Sequence, residues 1–143
     1  MLIACPHCGS TNRVPDDRLQ QDPVCGRCAT ALLDGGTVQL TDANFENVTT
    51  KTELPVVVDF WAPWCGPCQA MAPQFERAAQ QLKGRALLAK VNSDENPRTA
   101  AKYSVRSIPT MVLLQRGSEV KRISGALQAP QIVGWVAQAA HGA

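Results

Sequence analysis

Trp64-Cys65-Gly66-Pro67-Cys68 constrains this chain more than any other stretch. Its two cysteines directly follow the apolar run Val56-Val57-Val58-Asp59-Phe60-Trp61, and a helical pattern follows them. The apolar run reads as a buried strand. Cys65 is thereby set at the end of a strand and at the mouth of a helix. The first amides of a helix have no partner inside it, and the helix dipole is positive at that end. Both effects favour an anion, so a cysteine there should hold a thiolate more readily than a free one. Pro67 suits a first helical turn, and Gly66 gives the backbone room. A Cys-x-x-Cys pair can also be half of a zinc site. The tryptophan and proline around this one are not what a zinc knuckle needs. The strand before it also carries a carboxylate, Asp59, in otherwise apolar company.

Residues 1 to about 36 read as a separate segment with its own chemistry. Cys5-Pro6-His7-Cys8 and Cys25-Gly26-Arg27-Cys28 are two further knuckles, with sixteen residues between Cys8 and Cys25. That spacing lies inside the window of a four-cysteine zinc site. Zinc prefers thiolates in a tetrahedron, which two short knuckles supply. Gly9 and Gly26 stand where tight knuckle turns want glycine. The segment has few large apolar residues, so it should need a metal to fold. Cys5, Cys8, Cys25 and Cys28 are the expected ligands of one structural Zn²⁺. A pair of disulfides is the competing reading. His7 is expected at the surface, since four cysteines already complete the site.

The chain has 143 residues and a formal charge of +2 with no basic cluster. One domain plus a small module is the natural division: 1–36 as a zinc-ribbon-like module and 37–143 as the larger domain. The charge gives little support to nucleic-acid or membrane-surface binding. No apolar stretch approaches the roughly 18 residues of a membrane-spanning helix. Leu2-Ile3-Ala4-Cys5 looks like a lipoprotein cleavage site, but no charged and apolar region precedes it. With no export signal, a cytoplasmic location is expected. In that reducing compartment the six cysteines are metal ligands or catalytic groups rather than a disulfide scaffold.

After the turn Asp34-Gly35-Gly36, Val38-Gln39-Leu40 is a short strand, and Thr41 caps a short helix carrying Phe45 and Val48. The central strand covers about 55–61, and a helix runs from about 66 to 83 with Pro73 predicting a kink. Ala86–Asn92 is the next strand, Asn96-Pro97 opens a helix, and Thr110–Gln115 pairs with Glu119–Ile123 as a hairpin. Pro130 starts a last helix with Ile132, Trp135, Val136 and Ala139 on one face. The alternation predicts an α/β fold, a central mixed sheet flanked by helices, with parallel pairs and a final antiparallel hairpin.

From about residue 37 to 143 the chain resembles thioredoxin. The residues that carry the likeness are Val58-Asp59-Phe60-Trp61-Ala62, Trp64-Cys65-Gly66-Pro67-Cys68, Pro73, Lys90-Val91-Asn92, Ser107-Ile108-Pro109-Thr110 and Gly125-Ala126. The four-cysteine leader looks like that of the zinc-binding bacterial thioredoxins often called thioredoxin 2. The resemblance implies a thioredoxin fold and a protein disulfide reductase. Cys65 would be the nucleophile and Cys68 the resolving thiol. Asp59 would be the buried carboxylate that helps deprotonate Cys68, with Lys90 its neighbour. Pro109 would be a cis proline facing the cysteine pair. Trp64, Gly66, Pro67, Ile108, Pro109, Gly125 and Ala126 would form the surface where a client's extended chain docks. Gln69 stands where many relatives carry lysine, which removes a positive charge near the thiols. The implied partners of this expected monomer are disulfide-containing client proteins and thioredoxin reductase, which draws on NADPH. No G-x-G-x-x-G fingerprint occurs in the chain, so neither NADPH nor flavin is expected to bind to it. A second reading, in which the zinc module makes the protein a redox-switched holdase, competes with the enzyme.

Overall fold

The computed structural model describes residues 1–142. The chain opens with two short antiparallel strands, β1 (Leu2–Ala4) and β2 (Thr11–Arg13). A lone bridge between Val24 and Ala31 closes a second hairpin. The two knuckles are the same turn made twice. Gly9 N donates to Cys5 O and Ala29 N to Cys25 O, both at 2.9 Å, while Cys5 N and Cys25 N donate to Ser10 O and Thr30 O, both at 2.8 Å. The left-handed residue of the first knuckle is Gly9, at φ 82°. In the second knuckle that position belongs to Ala29, at φ 63°, and not to Gly26. Gly26 instead donates its amide to Asn12 Oδ1 at 2.9 Å and so ties the second knuckle to β2.

The larger region is built on a five-stranded sheet of order β3-β5-β4-β6-β7. Its strands are β3 (Val38–Gln39), β4 (Val56–Trp61), β5 (Leu87–Asn92), β6 (Thr110–Gln115) and β7 (Ser118–Ser124). β3, β5 and β4 run parallel, and β6 and β7 are antiparallel additions, as the hairpin signal around Arg116-Gly117 requires. The helices are α1 (Phe45–Lys51), α2 (Gly66–Gln81), α3 (Pro97–Lys102) and α4 (Ala129–Gly142). α2 runs unbroken through Pro73. Thr41 does not cap α1 as expected. Asn44 holds the cap position, and its Oδ1 accepts from Thr41 N at 2.7 Å instead of bonding the helix.

Alternation along β4 divides the core. Val56, Val58 and Phe60 face α1 and the ring of Tyr103, which meets Phe45 edge-on at 5.5 Å. Val57 faces α2 and α4, among Met71, Phe75, Met111 and Ile132. Side chains two apart on a strand share a face, so Asp59 lies on the α2 side with Val57. The α1-side core continues without a break into the first segment, through Ile3, Ala4, Val14, Leu32 and Leu33. The leader is therefore packed against α1. Ala4 N donates to Thr52 Oγ1 at 3.1 Å, Leu2 N to Glu53 Oε1 at 2.6 Å, and Glu53 N returns a bond to Leu2 O at 2.9 Å.

Candidate active site and metal centre

Cys65 caps α2 with an extended backbone, and its Sγ accepts a hydrogen bond from Cys68 N at 3.2 Å. Pro67 falls in the first turn, where its missing N–H leaves nothing unpaired. Cys68 begins the stripe Cys68, Met71, Phe75, Ala78 and Ala79 that faces the sheet. The two cysteines form a disulfide, with Cα atoms 5.2 Å apart, and are 5% and 3% exposed. Ile108 O lies 3.8 Å from Cys65 Sγ, just before the cis Ile108–Pro109 bond. Gly125 N donates to Pro109 O at 2.9 Å and so draws the end of β7 to the same loop. At Gly66 and at Gly125 an added Cβ would meet nothing within 4 Å, so the space above both is open. Trp64 stands 71% exposed beside them.

Asp59 lies one layer below. It is 1% exposed, and neither carboxylate oxygen has a hydrogen-bond partner among the described residues. Burial pushes its pKa up to about 7, against the pull of the Lys90 charge. Lys90 pairs with Asp59 across β4 and β5, and its Nζ sits 4.7 Å over the Trp61 ring. Asp59 is at the C-terminal end of β4 on the α2 face, and Cys68 is the sheet-facing residue at the start of α2. The topology puts carboxylate and buried sulfur on the same side of the sheet.

Some contacts at the site are not apparent from the sequence motifs. Trp64 Nε1 donates to Asp94 Oδ2 at 2.8 Å, and Asp94 N is itself held by Asn92 Oδ1 at 3.0 Å. The available signal was Asn92-Ser93-Asp94, an Asx-turn pattern at the end of β5. Gln69, the departure from the lysine of many relatives, donates its side-chain amide to Pro63 O and ties the first turn of α2 to the loop before Trp64.

The sulfurs of Cys5, Cys8, Cys25 and Cys28 all lie within 4.8 Å of one another. Two pairs, Cys5–Cys28 and Cys8–Cys25, are at 3.6 Å. A tetrahedron with metal–sulfur bonds of about 2.3 Å has edges of roughly 3.8 Å, so the cluster has the size and donor set of a zinc site. The amides of Cys28 and Arg27 draw Cys25 down to about 6, whereas burial pushes Cys5 up to about 11. His7 is exposed and takes no part in the cluster.

A dithiol closed at the mouth of a helix, in a parallel-centred sheet with a cis proline beside it, defines a thiol–disulfide oxidoreductase. The chain belongs to the thioredoxin family: the family described as Thioredoxin matches residues 36–138, and the one described as Thioredoxin 2, N-terminal, a zinc ribbon, matches residues 4–30. It is 45% identical to Thioredoxin C-3 of Corynebacterium nephridii over 138 residues, covering 96% of this chain and 94% of that protein. It is 47% identical to a thioredoxin of Synechocystis sp. over 91 residues, 64% of this chain and 85% of that one. A thioredoxin of Haemophilus influenzae is 40% identical over 101 residues, 71% of this chain and 94% of its own length. The protein is accordingly a thioredoxin-type disulfide oxidoreductase with Cys65–Cys68 as its redox pair and a four-cysteine ribbon in front. No helix among the described residues is long and apolar enough to cross a membrane.

Proposed function

We propose that Cys65 is the attacking thiol and Cys68 the resolving one in the reduction of client disulfides. The observation that carries this reading is the position of Cys65 Sγ at the open end of α2, where it meets the Cys68 amide. Cys65 as thiolate attacks one sulfur of the client. The client S–S bond breaks, a mixed disulfide forms, and the other client sulfur leaves as a thiolate that takes a proton from water. Asp59 as carboxylate takes the proton of the Cys68 thiol, a role that its pKa of about 7 suits. Cys68 attacks Cys65 Sγ, the second client sulfur leaves and is protonated, and the Cys65–Cys68 bridge closes. Two electrons have passed to the client, and direction follows the relative potentials. Lys90 holds positive charge beside Asp59. Trp64, Gly66, Pro67, Ile108, Pro109, Gly125 and Ala126 receive the client's chain.

The bridge is reopened by thioredoxin reductase, which brings the electrons of NADPH, and the natural setting is the reducing cytoplasm. The protein acts as a monomer. One structural Zn²⁺ held by Cys5, Cys8, Cys25 and Cys28 completes the ribbon, and residues 1–36 and 37–143 are separate folding units. Separate serine variants test the chemistry in a reductase-coupled assay. Cys65→Ser abolishes turnover. Cys68→Ser retains attack and accumulates mixed disulfides visible by mass spectrometry. Trapping on Cys65→Ser and none on Cys68→Ser would reverse the roles.

A further inference from the structure

Beside the redox pair is a concavity of about 200 Å³. Its walls are the Trp64 ring, Ala100, Val105 and Ile108, and its charged lips are Asp94 and Arg106. Ile108 and Trp64 belong both to this hollow and to the surroundings of Cys65, so the hollow opens directly next to the attacking sulfur. An extended chain advances about 3.3–3.6 Å per residue. A side chain one or two positions from the client's cysteine therefore reaches it.

The two lips differ in what already binds them. Asp94 is held in place by the Trp64 indole and by Asn92, and through the indole it fixes one wall. Glu95, next along, accepts from Asn92 Nδ2 at 3.3 Å. Arg106 is exposed, is the one cation among the described residues lining the hollow, and makes no side-chain hydrogen bond or ion pair with them. Gln69, near the cysteines on α2, adds no charge. Guanidinium is also the cation best shaped for a carboxylate, which it grips with two parallel bonds.

We infer that Arg106 makes this thioredoxin select client disulfides whose cysteine is followed or preceded, within two residues, by Asp or Glu, with the acid's methylenes against Trp64 and Ile108 and its carboxylate on the guanidinium. This deepens the client-docking reading above and rests on it. A lip-exposed pair of this kind shifts binding by less than a tenfold factor, and mostly through the association rate.

The test uses the full-length, zinc-loaded protein and peptide disulfides that differ only in Glu, Gln or Lys two positions from the cysteine. In single turnovers the reduced protein should give a second-order rate constant about fivefold higher for the Glu peptide than for the Gln peptide. The ratio should fall toward one in Arg106→Ala, invert in favour of Lys in Arg106→Glu, and shrink in high salt. Equal rates for Glu and Gln peptides in the wild type, or a preference that survives Arg106→Ala, overturns the inference. Trapping of the Gln peptide on Cys65 in Cys68→Ser checks the nucleophile separately, so failure of that assignment is distinguishable from a missing Glu preference.

Discussion

Both carboxylate oxygens of Asp59 are buried without a partner among the described residues, and that fixes the sign of a pH effect on stability. Its pKa rises from 3.8 to about 7 because burial disfavours the charged form. Between about pH 4 and pH 7 the unfolded chain has lost this proton and the folded chain keeps it. Folding therefore weakens as pH climbs through that window and is flat above it. At about 1.4 kcal/mol per pH unit, the full cost above neutrality is on the order of 4 kcal/mol. Asp59→Asn removes the charge and should stabilise the oxidised protein by a few kcal/mol at pH 8, with a much smaller gain at pH 5. Urea unfolding at the two pH values measures this. A gain that is equal at both would mean that Asp59 is not ionising against burial. The same variant should slow resolution of the mixed disulfide more than its formation.

Among the elements, α2 joins the two halves of the molecule. Its first residues carry the redox pair, and the turn just past its end seats the ribbon. Gly84 has φ +77°, and a Cβ there would lie 2.6 Å from Gln20 Cγ and 3.1 Å from Leu19 O. The glutamine can swing away, losing its bond from Nε2 to Lys83 O, but the Leu19 carbonyl is backbone and cannot. Gly84→Ala should cost about 1–3 kcal/mol, seen as a lower melting temperature, with the redox pair intact. An unchanged melting temperature would show that the seat yields freely. Such a seat was not legible in the sequence. Strand and helix order was, because apolar periods of two and of 3.6 alternate along the chain and Gly and Pro punctuate them. The redox pair and the four ribbon cysteines were legible because their spacing is dictated by chemistry. What escaped were contacts between elements made by ordinary polar residues. Glu53 is one. Its carboxylate takes both Leu2 N and, at 2.7 Å, Arg116 Nη2, joining the ribbon, the loop after α1 and the β6–β7 turn, yet it reads as a loop acid. The second knuckle is another, since no rule places an alanine in its left-handed position.

Across the whole molecule, the leader is a covering as well as a metal site. Val48 and Thr52 are 0% exposed and Leu54 is 3% exposed, and the ribbon shares their core cluster or bonds to them. The five-stranded sheet and its helices are nonetheless complete without it, since all of them lie from Val38 onward. A fragment of residues 37–143 should therefore fold and reduce disulfides without zinc, but with an α1 face newly open to water. Exposing one Leu-sized side chain costs about 1.5–3 kcal/mol, and lost bonds to Thr52 and Glu53 add to it, so the fragment should be less stable than the full protein by about 2–5 kcal/mol. Removing zinc from the full chain should act in the same direction and by no more than that, because the ribbon then loses the ligand that folds it. Circular dichroism melts of the fragment and of the full chain with and without chelator make the comparison. Equal stability of fragment and metal-loaded protein would mean that the ribbon covers nothing that matters. An unfolded fragment would mean that the two parts are one folding unit.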